Sequence, residues 1–185
     1  MKKNLLVPIL GVLLCLWMAS CVKDTDFDQA ENITLTPVVE LDLIYFDLEA
    51  ADFYNDETNT PRLTVSDTTE IRFLDDTEIQ ESLKKAEFLF VFTNSIPRSF
   101  QADFQFLDVA NETTYATSTT VAEGSPENAV LSEFTETVEG NDILALTQAD
   151  KVVVSLTLPS SDANLEGSLN LKSKTTYYLE IKERN

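Results

Sequence analysis

The chain has 185 residues, about one domain's worth, with 32 acidic against 13 basic side chains and a formal net charge of −19. A body this acidic repels nucleic acid, whose phosphates need Lys and Arg to displace their counterions, and it repels anionic lipid surfaces too. There is no histidine and there are two cysteines, which excludes a Ser-His-Asp triad, a Cys-His dyad, imidazole metal ligands and a Cys-rich metal site.

The chain opens with Lys2-Lys3 and then an apolar run over residues 5–19, LLVPILGVLLCLWMA. This is signal-peptide length. It is short of the roughly 20 residues a membrane helix needs, and Pro8 and Gly11 interrupt it. The run stops at Cys21, and Leu16-Trp17-Met18-Ala19-Ser20-Cys21 resembles a bacterial lipobox. Small side chains at Ala19 and Ser20 suit the peptidase subsites, whereas Met18 replaces the usual Leu. The resemblance implies that residues 1–20 are removed and that Cys21 carries a diacylglycerol on sulfur and a further acyl chain on its amine. Two or three chains anchor firmly where one binds only marginally. Cleavage would also remove Lys2, Lys3 and Cys15. That leaves 11 basic against 32 acidic side chains, a balance of −21, and no cysteine to form an intrachain disulfide.

The next residues, Val22-Lys23-Asp24-Thr25-Asp26, look like the Lys-plus-acid export signal that follows the acylated cysteine in surface-exposed lipoproteins of the Bacteroidota. The resemblance implies an outer-membrane protein facing the cell exterior, with Lys23, Asp24 and Asp26 as the signal. The periplasmic face, with a generic polar tether in place of a signal, is the alternative. Residues 21–36 are polar and aperiodic after the cysteine, and are expected to be a flexible tether.

A single domain is expected over 37–185. The run VVELDLIYFDL (38–48) alternates Val39, Leu41, Leu43 and Tyr45 with Glu40, Asp42, Ile44 and Phe46, and ends apolar on both faces, as a buried strand would. Further strands are predicted at 69–74 (TEIRFL), 86–94 (AEFLFVFTN, the most buried), 100–109, 113–121 (polar on both faces, hence an edge), 128–138, 151–158, 167–172 and 175–183. A short helix is predicted at 75–85, capped by Asp76 and closed by Lys84-Lys85, and a helical turn at 142–149. Strands without a βαβ rhythm predict an all-β, antiparallel sandwich, immunoglobulin-like in general architecture, with one or two short helical crossovers.

The chemistry is sparser. Asp52, Asn55, Asp56 and Glu57 gather hard oxygens in one loop, a calcium candidate, but the spacing is not that of an EF-hand and no glycine makes its tight turn. No other cofactor is expected. Gly124, Gly140 and Gly167 are scattered, so no phosphate-cradling loop and no nucleotide is expected. Carboxylate pairs arise by chance among 32 acidic residues and none sits in a catalytic frame. The only tryptophan, Trp17, leaves with the leader; Tyr54 is the best candidate for an exposed aromatic, while Phe53-Tyr54 packing the acidic loop onto the core is the favoured reading. The expectation is a non-enzymatic, lipid-anchored binding or interaction module with a protein partner in a surface complex. A carboxylate-based glycan-processing enzyme, a glycan-binding accessory lipoprotein and a purely structural envelope component remain as alternatives.

Overall fold

Eight strands of seven or more residues build the body in the computed structural model, which describes residues 34–182. They are β1 (Val38–Glu49), β2 (Thr64–Glu70), β3 (Leu83–Asn94), β4 (Phe100–Leu107), β5 (Thr113–Val121), β6 (Val130–Glu139), β7 (Lys151–Thr157) and β8 (Ser168–Leu179). They form two four-stranded sheets, in the orders β1-β8-β3-β6 and β2-β7-β4-β5, and every pairing is antiparallel. The expected all-β sandwich is therefore present. Its strand order is the double Greek key of a jelly roll, in which strands alternate between sheets, and differs from the ABED/CFG order of an immunoglobulin domain. Residues 35–181 make one compact unit, and no described helix is long and apolar enough to cross a membrane.

Alternation explains the central strands. Phe88, Phe90 and Phe92 of β3 face Ala102, Phe104 and Phe106 of β4 across the core, joined by Val152, Val154 and Leu156 of β7 and Leu169, Leu171 and Tyr177 of β8, all of them buried. The Phe90 and Phe104 rings lie 3.9 Å apart between centroids, and those of Phe88 and Phe106 lie 5.0 Å apart. The predicted strands 167–172 and 175–183 are one strand, β8, continuous through Ser173, where the bulge lies on its neighbour β1. As predicted, β5 is an edge.

The prediction at 69–74 is wrong in part. The strand ends at Glu70, and Arg72–Asp75 form a 3₁₀ turn. Ile71 and Leu74 are buried three residues apart, a spacing that a short apolar run leaves ambiguous between strand and helix. Phe73 then stacks on Tyr177 at 4.7 Å. Asp76 caps the short helix α1 (Thr77–Ser82) as expected, its carboxylate accepting from the Glu78 and Ile79 amides at 2.8 and 3.2 Å. Lys84 and Lys85 already belong to β3. The second helix, α2 (Asp142–Leu146), begins at Asp142, and Asn141 occupies the cap position without a side-chain bond.

The two flanks of the sandwich differ. On the β5/β6 flank, the Tyr115 hydroxyl and the Thr117 hydroxyl both donate to Glu136, the latter at 2.8 Å, and the Ala122 amide donates to Ser132 Oγ at 3.1 Å. On the β1/β2 flank, no hydrogen bond or ion pair joins the two strands among the described residues. There Phe46 and Leu48 of β1 and Val65 of β2 stay half-buried over Val154 and Leu156, around a cleft of about 170 Å³.

Burial, and then the bond to Glu136, pushes the Tyr115 phenol well above its ordinary value of 10.0, and burial does the same to Tyr177. Raised pKa values mean that the folded state favours the neutral phenols. Their stabilisation is complete below the unfolded value near 10 and drains away as pH rises beyond it. The melting temperature should therefore fall above about pH 10, and fall less steeply in Tyr115→Phe. Parallel pH-melting curves for the two proteins would sink this assignment.

Candidate functional site

The site begins with a misfit in β1. Asp42 stands opposite Lys174 and Tyr45 opposite Lys172, so Leu43 and Ile44 together oppose Ser173. The Ser173 hydroxyl accepts from the Ile44 amide at 3.0 Å and donates to the Ile44 carbonyl at 2.6 Å, holding the bulge. One extra residue reverses the phase of a strand, because side chains alternate with period two. Past the bulge, Phe46 and Leu48 pack against the core, and Tyr45 stands on the outer face with its residue surface 77% exposed. This corrects the expectation that β1 ends buried on both faces. The exposed ring is Tyr45 and not Tyr54, and the expected packing of the Phe53-Tyr54 pair onto the core is present. Tyr54 is half-buried, its hydroxyl donating to Asn59 Oδ1 at 2.7 Å, while Phe53 beside it is buried against Phe100 at 5.3 Å.

Cross-strand register fixes the neighbours of Tyr45. One row across the outer face runs Tyr45, Lys172, Val91, Glu133, and the next runs Asp42, Lys174, Leu89, Thr135. Between them lies a shallow groove of about 230 Å³ lined by Asp42, Leu89, Val91, Lys172, Ser173 and Lys174. Lys174 pairs with Glu40 at 3.2 Å, whereas Lys172 makes no ion pair among the described residues. Further along the face, Lys85 Nζ meets Glu87 at 2.8 Å and sits 4.0 Å above the Tyr178 ring, and Tyr178 donates to Glu87 at 2.7 Å. The Lys85 bond, and then that of Tyr178, holds the Glu87 carboxyl below its ordinary value. In a chain with 13 basic residues, Lys85, Lys172 and Lys174 share this one face.

The outer face of the second sheet carries a larger groove of about 310 Å³, around Asp103, Gln105, Thr117, Ser118 and Ser155. Hydroxyl and amide groups in and beside it are partly taken up by one another. Ser66 and Ser155 lie 2.8 Å apart, Thr64 and Thr157 lie 3.0 Å apart, and Gln101 donates to Asp103 at 3.2 Å. Its one aromatic lining residue, Phe104, is buried in the core and leaves no exposed ring there. The Tyr45 face therefore offers more to a ligand, with one exposed ring, apolar ground at Leu89 and Val91, and an unpaired cation.

The calcium candidate is not assembled. Asp52 Oδ2 accepts the Glu49 amide at 2.8 Å and Asn55 Oδ1 accepts the Thr58 amide at 3.0 Å, so both oxygens brace their own backbone. Asp56 and Glu57 are exposed in the turn between the short paired segments Tyr54–Asn55 and Thr60–Pro61. Among the described residues, no three Asp, Glu, His or Cys side chains converge as metal ligands. Cys21, Lys23, Asp24 and Asp26 lie outside the described residues. Sequence reasoning missed Tyr45 because the bulge that turns it outward is set by Ser173, 129 residues from Ile44.

The fold and this face define a jelly-roll domain with a candidate binding surface on one sheet. No family model matches the chain and no curated protein matches it in sequence. Among solved structures, it resembles a protein described as secreted from Parabacteroides distasonis, with 16% identity over 66% of this chain and 38% of that one, at a TM-score of 0.44. It resembles the VP2 subviral particle of infectious bursal disease virus at 8% identity over 77% and 32%, at 0.45. It also resembles the enzymatically active domain of tailspike protein 4 of bacteriophage CBA120 at 14% over 82% and 20%, at 0.37. The chain spans less than two fifths of each of these proteins.

Proposed function

We propose that this protein is a lipid-anchored binding module of a bacterial outer membrane, held by Cys21, facing the cell exterior, and recognising its ligand through the Tyr45 face. The observation that carries the reading is the outward Tyr45 beside the groove, placed there by a bulge rather than by the alternation of its strand. Bulges of this kind re-aim single side chains. An exposed ring flanked by Lys172, Lys174 and Asp42 also suits a glycan, since a ring face packs on a sugar while the charged groups bond its hydroxyls. A glycan is therefore the second reading.

Tyr45→Ala should leave the melting temperature nearly unchanged, since exposed substitutions stay within about 0.5 kcal/mol. On a glycan array and against purified envelope proteins, it should weaken binding at least about tenfold. Equal binding by both proteins would remove this face from the proposal. The anchor has its own test. Cys21→Ala should abolish acyl labelling and release the protein from membranes. Replacing Lys23 and Asp24 by Ala should protect it from protease on intact cells. Retained labelling or unchanged digestion, respectively, would overturn each part.

A further inference from the structure

We propose that the open β1/β2 flank accepts an added strand, namely an extended segment of a partner protein in which apolar and basic residues alternate. Three features converge on β1. Among the described residues it ends its sheet and pairs only with β8, so apart from the Glu49 amide, which donates to Asp52, one side of a 12-residue strand keeps its backbone donors and acceptors for another chain. Beside the segment past the bulge, the sheets part over the mainly apolar cleft of about 170 Å³ formed by Phe46, Leu48, Val65, Val154 and Leu156, with Ser66 and Asp67 also lining it. A strand laid against β1 would drop every second side chain towards this cleft. Its other side chains would stand on the outer face, beside Asp42 and Asp47, which form no ion pair among the described residues. Opposite charges across a strand pair are favourable and like charges are not, so these positions ask for Lys or Arg.

The charge argument also selects the occupant. A second copy would bring its own Asp42 and Asp47, and a body at −19, against the same edge. The contrast with the opposite flank strengthens the inference. The β5/β6 flank is stapled through Glu136, whereas the β1/β2 flank keeps an apolar cleft between two unlinked edges. This proposal is independent of the Tyr45 face and goes beyond it.

The test uses the full chain in nonionic detergent and a capped nine-residue peptide of alternating Val and Lys. Alternating Gly and Lys of equal charge should bind at least about tenfold more weakly. Two further peptides carry N-methyl groups on the Val amides or on the Lys amides. An added strand turns only one of these sets towards β1, so one methylated peptide should lose binding and the other keep it. Val65→Trp, which fills the cleft, should weaken binding about tenfold at an unchanged circular dichroism spectrum. Equal binding of the Gly–Lys peptide, indifference to both methylations, or a chain dimer that excludes the peptide would each overturn the proposal.

Discussion

Phe90→Ala is expected to remove about 3–5 kcal/mol of stability, the cost typical of deleting a fully enclosed aromatic ring. Phe90 has no exposed surface. Its ring lies 3.9 Å from Phe104, 6.1 Å from Phe134 and 6.4 Å from Phe88, so it joins the two sheets at the middle of the core. Phe88 and Phe104 belong to strands held by ladders on both sides, which limits how far the cavity can collapse. Domains of this size hold only about 5–15 kcal/mol in total, so the variant should sit near the edge of folding at 37 °C. Urea unfolding should show a much lower midpoint at an unchanged slope. Leu89→Ala, one residue earlier on the groove side, should cost only about 1 kcal/mol. Equal midpoint shifts for the two variants would contradict the inward assignment of Phe90.

The second large effect is expected at Asn94, which is polar and fully buried at the end of β3. Its Oδ1 accepts the Ile96 amide at 2.9 Å, and its Nδ2 donates to the carbonyls of Arg98 and Ala122 at 2.9 and 2.8 Å. It thereby ties the 95–99 turn to the segment after β5. Asn94→Ala would strand the buried Ile96 amide at about 1–3 kcal/mol and remove the bonds to two part-buried carbonyls. Asn94→Asp should be no better, because a carboxylate keeps the bond to Ile96 but faces two carbonyl oxygens. The surroundings cannot relax to compensate. A Cβ on Gly124 would lie 1.9 Å from the Asn94 carbonyl oxygen, and one on Gly167, at φ +106°, would lie 2.4 Å from that of Ser95. Gly124→Ala should consequently destabilise more than Gly140→Ala, whose Cβ would meet nothing within 4 Å and which bears only the backbone strain of φ +62°. The expected order in chemical denaturation is Gly140→Ala above Gly124→Ala and both Asn94 variants. Asn94→Ala melting like the parent protein would refute this account.

The sandwich was readable in the sequence because its central strands obey a local rule. Phe88, Phe90 and Phe92, or Phe104 and Phe106, alternate without interruption, and alternation needs no knowledge of the partner strand. Asp76 announced its helix for the same reason, since a cap acts on amides two and three residues away. What stayed hidden depends on distant residues. The jelly-roll order rests on pairings such as β1 with β8, and the bulge that turns Tyr45 outward is held by Ser173 from across the chain. The acidic loop was ambiguous for a different reason. Composition shows that Asp52 and Asn55 carry oxygens but not that those oxygens bond the amides of Glu49 and Thr58. The resemblance to a lipobox rests on six residues, 16–21, which lie outside the described residues.

The ladder between β1 and β8 has a mechanical meaning. Val38, where the chain enters the body, and Tyr45 lie on the same strand. For a body held through its N-terminal segment, a pull on a ligand at Tyr45 travels along β1 without crossing the aromatic core. The β1–β8 pairing runs antiparallel from Val38–Tyr178 to Glu49–Ser168, and its hydrogen bonds lie perpendicular to the strands. Tension along β1 therefore loads them together in shear rather than unzipping them one at a time. Under flow, the face that grips would be carried by the element best placed to resist being peeled away.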